Sequence, residues 1–206
     1  TEYTGSMITR EGVGQELAAG FPIGKRFRSE RVVRVCDANP VHLGHHARTD
    51  GRWRLYAFAD PAAPSADGSA LRRWADWMLT APDSPVAVHT PHGADLDALF
   101  DIKAIYQQGH HDMEVTDAPE IFRSRSGPFR LADYERVYAT DRRDPAFFDP
   151  VDIFATRGIS RDGAVVVVRP DQYVAGVFPL TDTAGLAEFF RGHLLPAGAR
   201  TATGAP

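Results

Sequence analysis

Hydrophobic and polar positions change period several times along the chain, and the changes mark its elements. The valines of "RVVRV" (31–35) suit a pleated, partly buried surface and predict a short strand. In "RWRLYAFA" (52–59), Trp53, Leu55, Ala57 and Ala59 point one way and Tyr56 and Phe58 the other. Apolar groups on both sides predict an interior strand, covered on two faces. The period then turns helical. In "SALRRWADWMLT" (69–80), Leu71, Trp74, Ala75 and Met78 fall at i, i+3, i+4 and i+7, with Ser69 as N-cap and Ala81–Pro82 as the stop. "ALFDIKAIYQ" (98–107) alternates again, with Phe100, Ile102, Ala104 and Tyr106 opposite Asp101 and Lys103, the pattern of a half-exposed strand. "GAVVVV" (163–168), the turn "RPDQ" and "YVAGVFPL" (173–180) predict an antiparallel hairpin. "TAGLAEFFRGHLL" (183–195) closes the pattern with a second amphipathic helix, striped by Leu186, Phe189, Phe190 and Leu194.

Other stretches carry weaker signals. Residues 1–20 are polar and glycine-punctuated and read as a linker or arm. "DANPVHLGHHARTDG" (37–51) reads as a turn-rich connection through Asn39–Pro40 and Asp50–Gly51. "RLADYERVYA" (130–139) predicts a short helix packed through Leu131, Tyr134 and Tyr138, and the proline- and aspartate-rich stretch after it is irregular, anchored by Phe147, Phe148 and Phe154. The tail, 196–206, reads as disordered. A β-α-β half followed by a β-β-α half predicts an α/β fold of thioredoxin-like type across 21–195, a central mixed sheet with helices on both faces.

That fold raises a chemical question. A redox protein of this build holds a reactive cysteine at the helix start after the 52–59 strand, where this chain reads "PAAPSADGS" and has no sulfur. The single cysteine, Cys36, follows the first strand and has no partner two or three positions away, so there is no redox pair and no internal disulfide. Ser65 lies in the right loop but lacks a nucleophile-elbow context and a committed base. His42, His45, His46, His89, His92, His110 and His111 have no thiolate partner and no zinc-type spacing, so no metal site is expected. "GVGQELAAG" has glycines at 12 and 14 but no preceding strand, and Gly20 is mis-spaced for a dinucleotide fingerprint.

Charge adds exclusions. With 23 basic and 27 acidic residues the net charge is −4, which argues against a nucleic-acid partner. The one basic cluster, Lys25, Arg26, Arg28, Arg31 and Arg34, reads as a solvated strand and loop. No apolar run is long enough to span a membrane, the first ten residues lack a signal pattern, and one cysteine fits a reducing cytoplasm, so a cytoplasmic location is expected.

Three stretches taken together are more specific. "FPIGKRFRSERVVRVCDANPVHLGHHARTDGRWRLYAFAD", "ALFDIKAIYQQ" and "GAVVVVRPDQYVAGVFPL" resemble the C-terminal domain of the phenol hydroxylase family of flavin-dependent aromatic monooxygenases, over roughly residues 20–195. "TEYTGSMIT" is similar to the segment that leaves the flavin domain in that family. The resemblance implies a dimerisation domain, thioredoxin-like but without redox cysteines. It also implies an upstream flavin and substrate domain that binds FAD, takes hydride from NADPH and hydroxylates a phenolic ring with O2. It carries no catalytic, cofactor or metal residue onto this chain. Aromatic residues outside any core stripe, Trp77, Phe147 and Phe148, are the candidate interface, and a homodimer is the expected assembly. Two other readings use the same fold: a stand-alone thioredoxin-type binding module, and a peroxiredoxin-like thiol enzyme acting through Cys36.

Overall fold

A computed structural model describes residues 2–143, 145–147 and 149–198. Among these residues are nine strands: β1 (Arg31–Arg34), β2 (Asn39–His42), β3 (Trp53–Phe58), β4 (Phe100–Tyr106), β5 (Arg125–Ser126), β6 (Leu131–Ala132), β7 (Val137–Ala139), β8 (Ala164–Val168) and β9 (Val174–Phe178). The α-helices are α1 (Ala70–Thr80), α2 (Pro85–His89), α3 (Ile153–Thr156) and α4 (Thr183–Arg191). Seven strands form one mixed sheet in the order β2-β1-β7-β4-β3-β8-β9, and β5 and β6 pair separately.

The centre of that sheet follows from the two predicted halves. Strands β3 and β4 are parallel, joined through α1, with Leu55 opposite Ile102. β8 runs antiparallel to β3, and β9 antiparallel to β8. One face of the sheet presents Leu55, Ile102, Ala104 and Val167 to Leu71, Trp74 and Met78 of α1 and to Leu186 and Phe190 of α4. Phe190 meets Trp53 and Phe100 edge-on at 5.4 and 4.9 Å. The other face presents Tyr56, Phe58, Ile105, Tyr138 and Val166 to Phe21, Phe27, Leu43 and the single turn of α3. Both long helices thus share a face, and the opposite face is covered by α3 and by connecting segments. Phe27 closes that second layer by stacking on Tyr56 and Phe21 at 4.5 and 4.6 Å.

Two readings need correction. Residues 130–139 are not a helix. Leu131–Ala132 pairs with Arg125–Ser126, and Val137–Ala139 fills the gap between β1 and β4, pairing with both. The sheet offers Val137 hydrogen-bonding edges on two sides, which outweighs a weak local helical spacing. The connection 37–51 also contains a strand, β2, with Pro40 opposite Val33; the chain reverses one step earlier, where Ala38 takes a φ of 53°. β2 is an outer strand, where a missing N–H is tolerated. At the far edge, β9 is covered by the N-terminal segment: Arg10 N–H donates to Ala175 O at 2.7 Å, Gly24 N–H to Val174 O at 2.9 Å, and Val174 N–H to Lys25 O at 2.9 Å. Thr9 and Ala18 of the same segment are buried. Residues 199–206 of the predicted tail lie outside the described residues.

Candidate functional site

Three places deserve a chemical reading: the start of α1, the charged end of the second sheet face, and the exposed apolar side chains. The first is where the fold would hold a thiol. Here Asp60, the residue after the 52–59 run, turns its carboxylate onto the helix. Its Oδ1 accepts from Ser69 Oγ at 2.9 Å and from Leu71 N at 3.0 Å. Ser69 Oγ in turn accepts from Arg72 N at 3.2 Å, and the Arg72 guanidinium holds Pro64 O at 2.7 Å and Asp117 O at 2.9 Å. Burial pushes the Asp60 carboxyl up, but the N–H groups of Leu71 and Ala70 and the Ser69 hydroxyl outweigh it, leaving it below the ordinary carboxylate range. The helix-start donors that would stabilise a thiolate are therefore spent on a carboxylate. Ser65 is exposed in this loop.

Cys36 sits far from that loop, on the turn between β1 and β2. Burial raises its thiol pKa first, Asp37 adds to the effect, and Arg34 opposes it, so the sulfur favours the protonated form. The histidines fall in separate places. His42 and His45 stack at 5.0 Å, His110 lies against His111 at 3.8 Å, and His89 Nδ1 is 3.0 Å from Leu195 O. Among the described residues no group of three or more His, Cys, Asp or Glu is placed to hold a metal. Of the basic cluster at 25–34, Lys25 pairs with Glu2, Arg31 with Asp141, and Arg34 with Asp37 and Glu135.

The second place departs most from expectation. Asp101 and Lys103, read as the solvent side of a half-exposed strand, are each only 4% exposed. They form an ion pair on the same face as Tyr56 and Tyr138. Arg54 enters from β3 and is fully buried, its Nε 3.9 Å from Asp101; Arg136, just before β7, lies 4.0 Å from the same carboxylate. Around this centre Arg54 bonds Asp50 at 2.7 Å, Arg52 bonds Asp97 at 2.9 Å, and Arg136 bonds Asp133 at 2.7 Å and also Asp97. Burial raises the Asp101 carboxyl, yet Lys103 and Arg136 more than offset it and hold it below the usual range. The network flanks an open cavity of about 790 Å³ that Cys36, His46, Lys103 and Tyr138 also line. Its cations Arg52, Arg54, Lys103 and Arg136 are matched by Asp50, Asp97, Asp101 and Asp133. Such internal compensation is what a buried structural network needs.

The third place includes the aromatic residues singled out from the sequence. Trp77 is half-buried against the α1 core layer, with Nε1 donating to Asp83 Oδ1 at 3.3 Å. Phe147 is 79% exposed. Phe148 lies outside the described residues. The sequence reading missed Phe129, Leu131 and Tyr134, all exposed on or beside the β5–β6 hairpin. The Gly127–Pro128 dipeptide was the available signal, a turn marker just before the stretch read as a helix.

A parallel pair bridged by a helix, extended by an antiparallel hairpin and closed by a second helix, makes this a thioredoxin-like domain, and it carries no cysteine pair. The chain belongs to the phenol hydroxylase C-terminal dimerisation domain family, whose model matches residues 1–198. It is 42% identical over 198 residues to the 3-hydroxybenzoate 4-monooxygenase of Comamonas testosteroni, which covers 94% of this chain and 30% of that protein. An FAD-dependent monooxygenase of Aspergillus terreus is 30% identical over 200 residues, covering 95% of this chain and 32% of its own length. The chain thus spans about a third of these relatives. Among solved structures, the thioredoxin domain of a thiol-disulfide oxidoreductase from Bacteroides vulgatus is similar over 84% of this chain and 99% of its own, at 11% identity and a TM-score of 0.47. No helix among the described residues is long and apolar enough to cross a membrane.

Proposed function

We propose that this chain is the non-catalytic C-terminal part of a cytoplasmic, flavin-dependent hydroxylase of phenolic rings, and that it joins two copies of that enzyme. The family match over residues 1–198 carries this reading. In the parent enzyme FAD, reduced by NADPH, would supply the oxygen chemistry. This chain's own residues do not fit a dinucleotide. The helix start that follows a parallel strand, α1, already holds the Asp60 carboxylate, a negative charge where a pyrophosphate would need one-sided donors. No catalytic step is therefore assigned to it.

Residues 1–20 are then the arm leading from the upstream flavin and substrate domain, and 21–195 the domain that packs against it and against a second copy. Of the aromatics named from the sequence, Phe147 is exposed, whereas Trp77 can add only the edge of a ring already engaged in the core. The test is to purify this chain and the polypeptide that contains it and to compare them. The chain should be colourless and should oxidise no NADPH with phenols, and the parent should be yellow and active. Flavin absorbance that stays with the isolated chain through gel filtration would overturn the reading. A reading frame opening directly on this domain, with no flavin-binding sequence before it, would favour the stand-alone binding module.

A further inference from the structure

The β5–β6 hairpin has an unusual division of labour. Its polar groups are tied inward: Gly127 N–H donates to Asp95 Oδ2 at 2.7 Å, Ser126 Oγ to Asp97 Oδ1 at 2.8 Å, and Asp133 N–H to Ser124 O at 3.0 Å. Its apolar side chains point outward. Phe129 is 83% exposed, Leu131 69% and Tyr134 43%, all within six residues. A pair of two-residue strands has no core of its own and is marginal unless held by something else. Here carboxylates hold it, and the large apolar groups are left to solvent. The turn is also strained: Arg130, a non-glycine residue, has a φ of 51°. An L-residue rarely takes that left-handed conformation. Tyr3, Met7 and Ile8 form a second exposed group, on the segment that precedes the domain, and Phe147 stands apart from both.

We propose that this hairpin is the contact through which two copies of the chain associate, with Phe129 and Leu131 at the centre of a twofold interface. The inference rests on the dimerisation reading above and names the surface. The occupant is a second copy because the chain belongs to a dimerisation-domain family, and an isologous contact sets the same apolar patch of each copy against the other. The charged groups around the patch are already paired within the chain, Arg130 with Asp95, Asp133 with Arg136 and Glu135 with Arg34, which leaves the apolar side chains as the anchors. Aromatic and aliphatic anchors at the centre with a charged rim match the anatomy of stable interfaces.

Sedimentation velocity on the full chain tests the proposal. Phe129→Asp and Leu131→Asp, separately and together, should weaken the dimer at least about tenfold while circular dichroism and the melting temperature hold, because both side chains are largely exposed. Phe129→Ala with Leu131→Ser gives the same test without an added charge. Phe147→Asp should leave association unchanged. Hairpin variants that dimerise like the wild type, or dissociation by Phe147→Asp alone, would reject the hairpin and keep the dimerisation reading. A wild-type chain that stays monomeric would overturn both.

Discussion

Replacing Asp101 by asparagine is the sharpest probe of what holds the charged end of the sheet. Asp101 is 4% exposed and is the shared anion of three cations: Lys103 pairs with it directly, Arg54 lies at 3.9 Å and Arg136 at 4.0 Å. After Asp101→Asn the two arginines keep other acids, Asp50 for Arg54 and Asp97 with Asp133 for Arg136. Lys103, also 4% exposed, keeps no carboxylate partner among the described residues. The loss is therefore one buried, unpaired ammonium, which costs about 3–5 kcal/mol. For a chain of this size each kcal/mol lowers the melting temperature by about 2–4 °C, so a fall of about 6–20 °C is expected. Urea unfolding followed by the fluorescence of the buried Trp53 and Trp74 measures it. Asp101→Leu with Lys103→Met, which removes both charges, should recover most of the loss. If Asp101→Asn costs less than about 1 kcal/mol, or the double variant is as unstable as the single one, the network is not a paired buried structure and the reasoning fails.

Further outcomes follow from the same geometry. Asp60, Asp97, Asp101 and Asp141 all have carboxyls held below the ordinary range. Their contribution is complete above the unfolded value of about 3.9 and is lost as pH falls through the lower folded values. Burial also holds the imidazoles of His46, His110 and His193 below their ordinary range, so unfolding takes up protons there; the urea midpoint should fall gently from about pH 7 to 5 and more steeply below about pH 4, and a midpoint that rises on acidification would contradict this. Asp60→Ala removes the acceptor for Ser69 and Leu71 and should cost about 1–2 kcal/mol, with faster hydrogen exchange at the Leu71 amide. Cys36→Ser should change stability by less than about 0.5 kcal/mol and abolish no activity of the parent enzyme. A peroxide-consuming activity lost in that variant would show that Cys36 does work after all.

Local patterning made the centre of the fold legible. The two-sided apolar run at 52–59 and the valines of 164–168 could be little other than interior strands, and the stripe Leu71, Trp74, Ala75 and Met78 is the buried face of α1. What escaped the sequence depends on partners far along the chain. Val137–Ala139 is a strand because β1 and β4 flank it, and no local period announces that. Asp101 and Lys103 alternate with apolar residues as a solvent face would, and only Arg54, from β3, and Arg136, from the turn before β7, compensate their burial. The exposed hairpin was hidden for a similar reason. Reading Leu131 and Tyr134 as a helix stripe placed them in a core, whereas the two-residue strands turn them outward. The absence of a thiol at the start of α1 was visible at once; what replaces it, an aspartate that ends the preceding strand run and returns to the helix, required the structure.

The proposed role of this domain is to join two copies of a flavin enzyme without taking part in its chemistry. Sedimentation equilibrium of the flavin-loaded parent, with and without the segment corresponding to residues 21–195, tests it most directly. The intact protein should be a dimer, and the truncated protein a monomer that still carries its flavin at full occupancy. A truncated protein that remains a dimer, or one that loses its flavin while staying folded, would contradict the account.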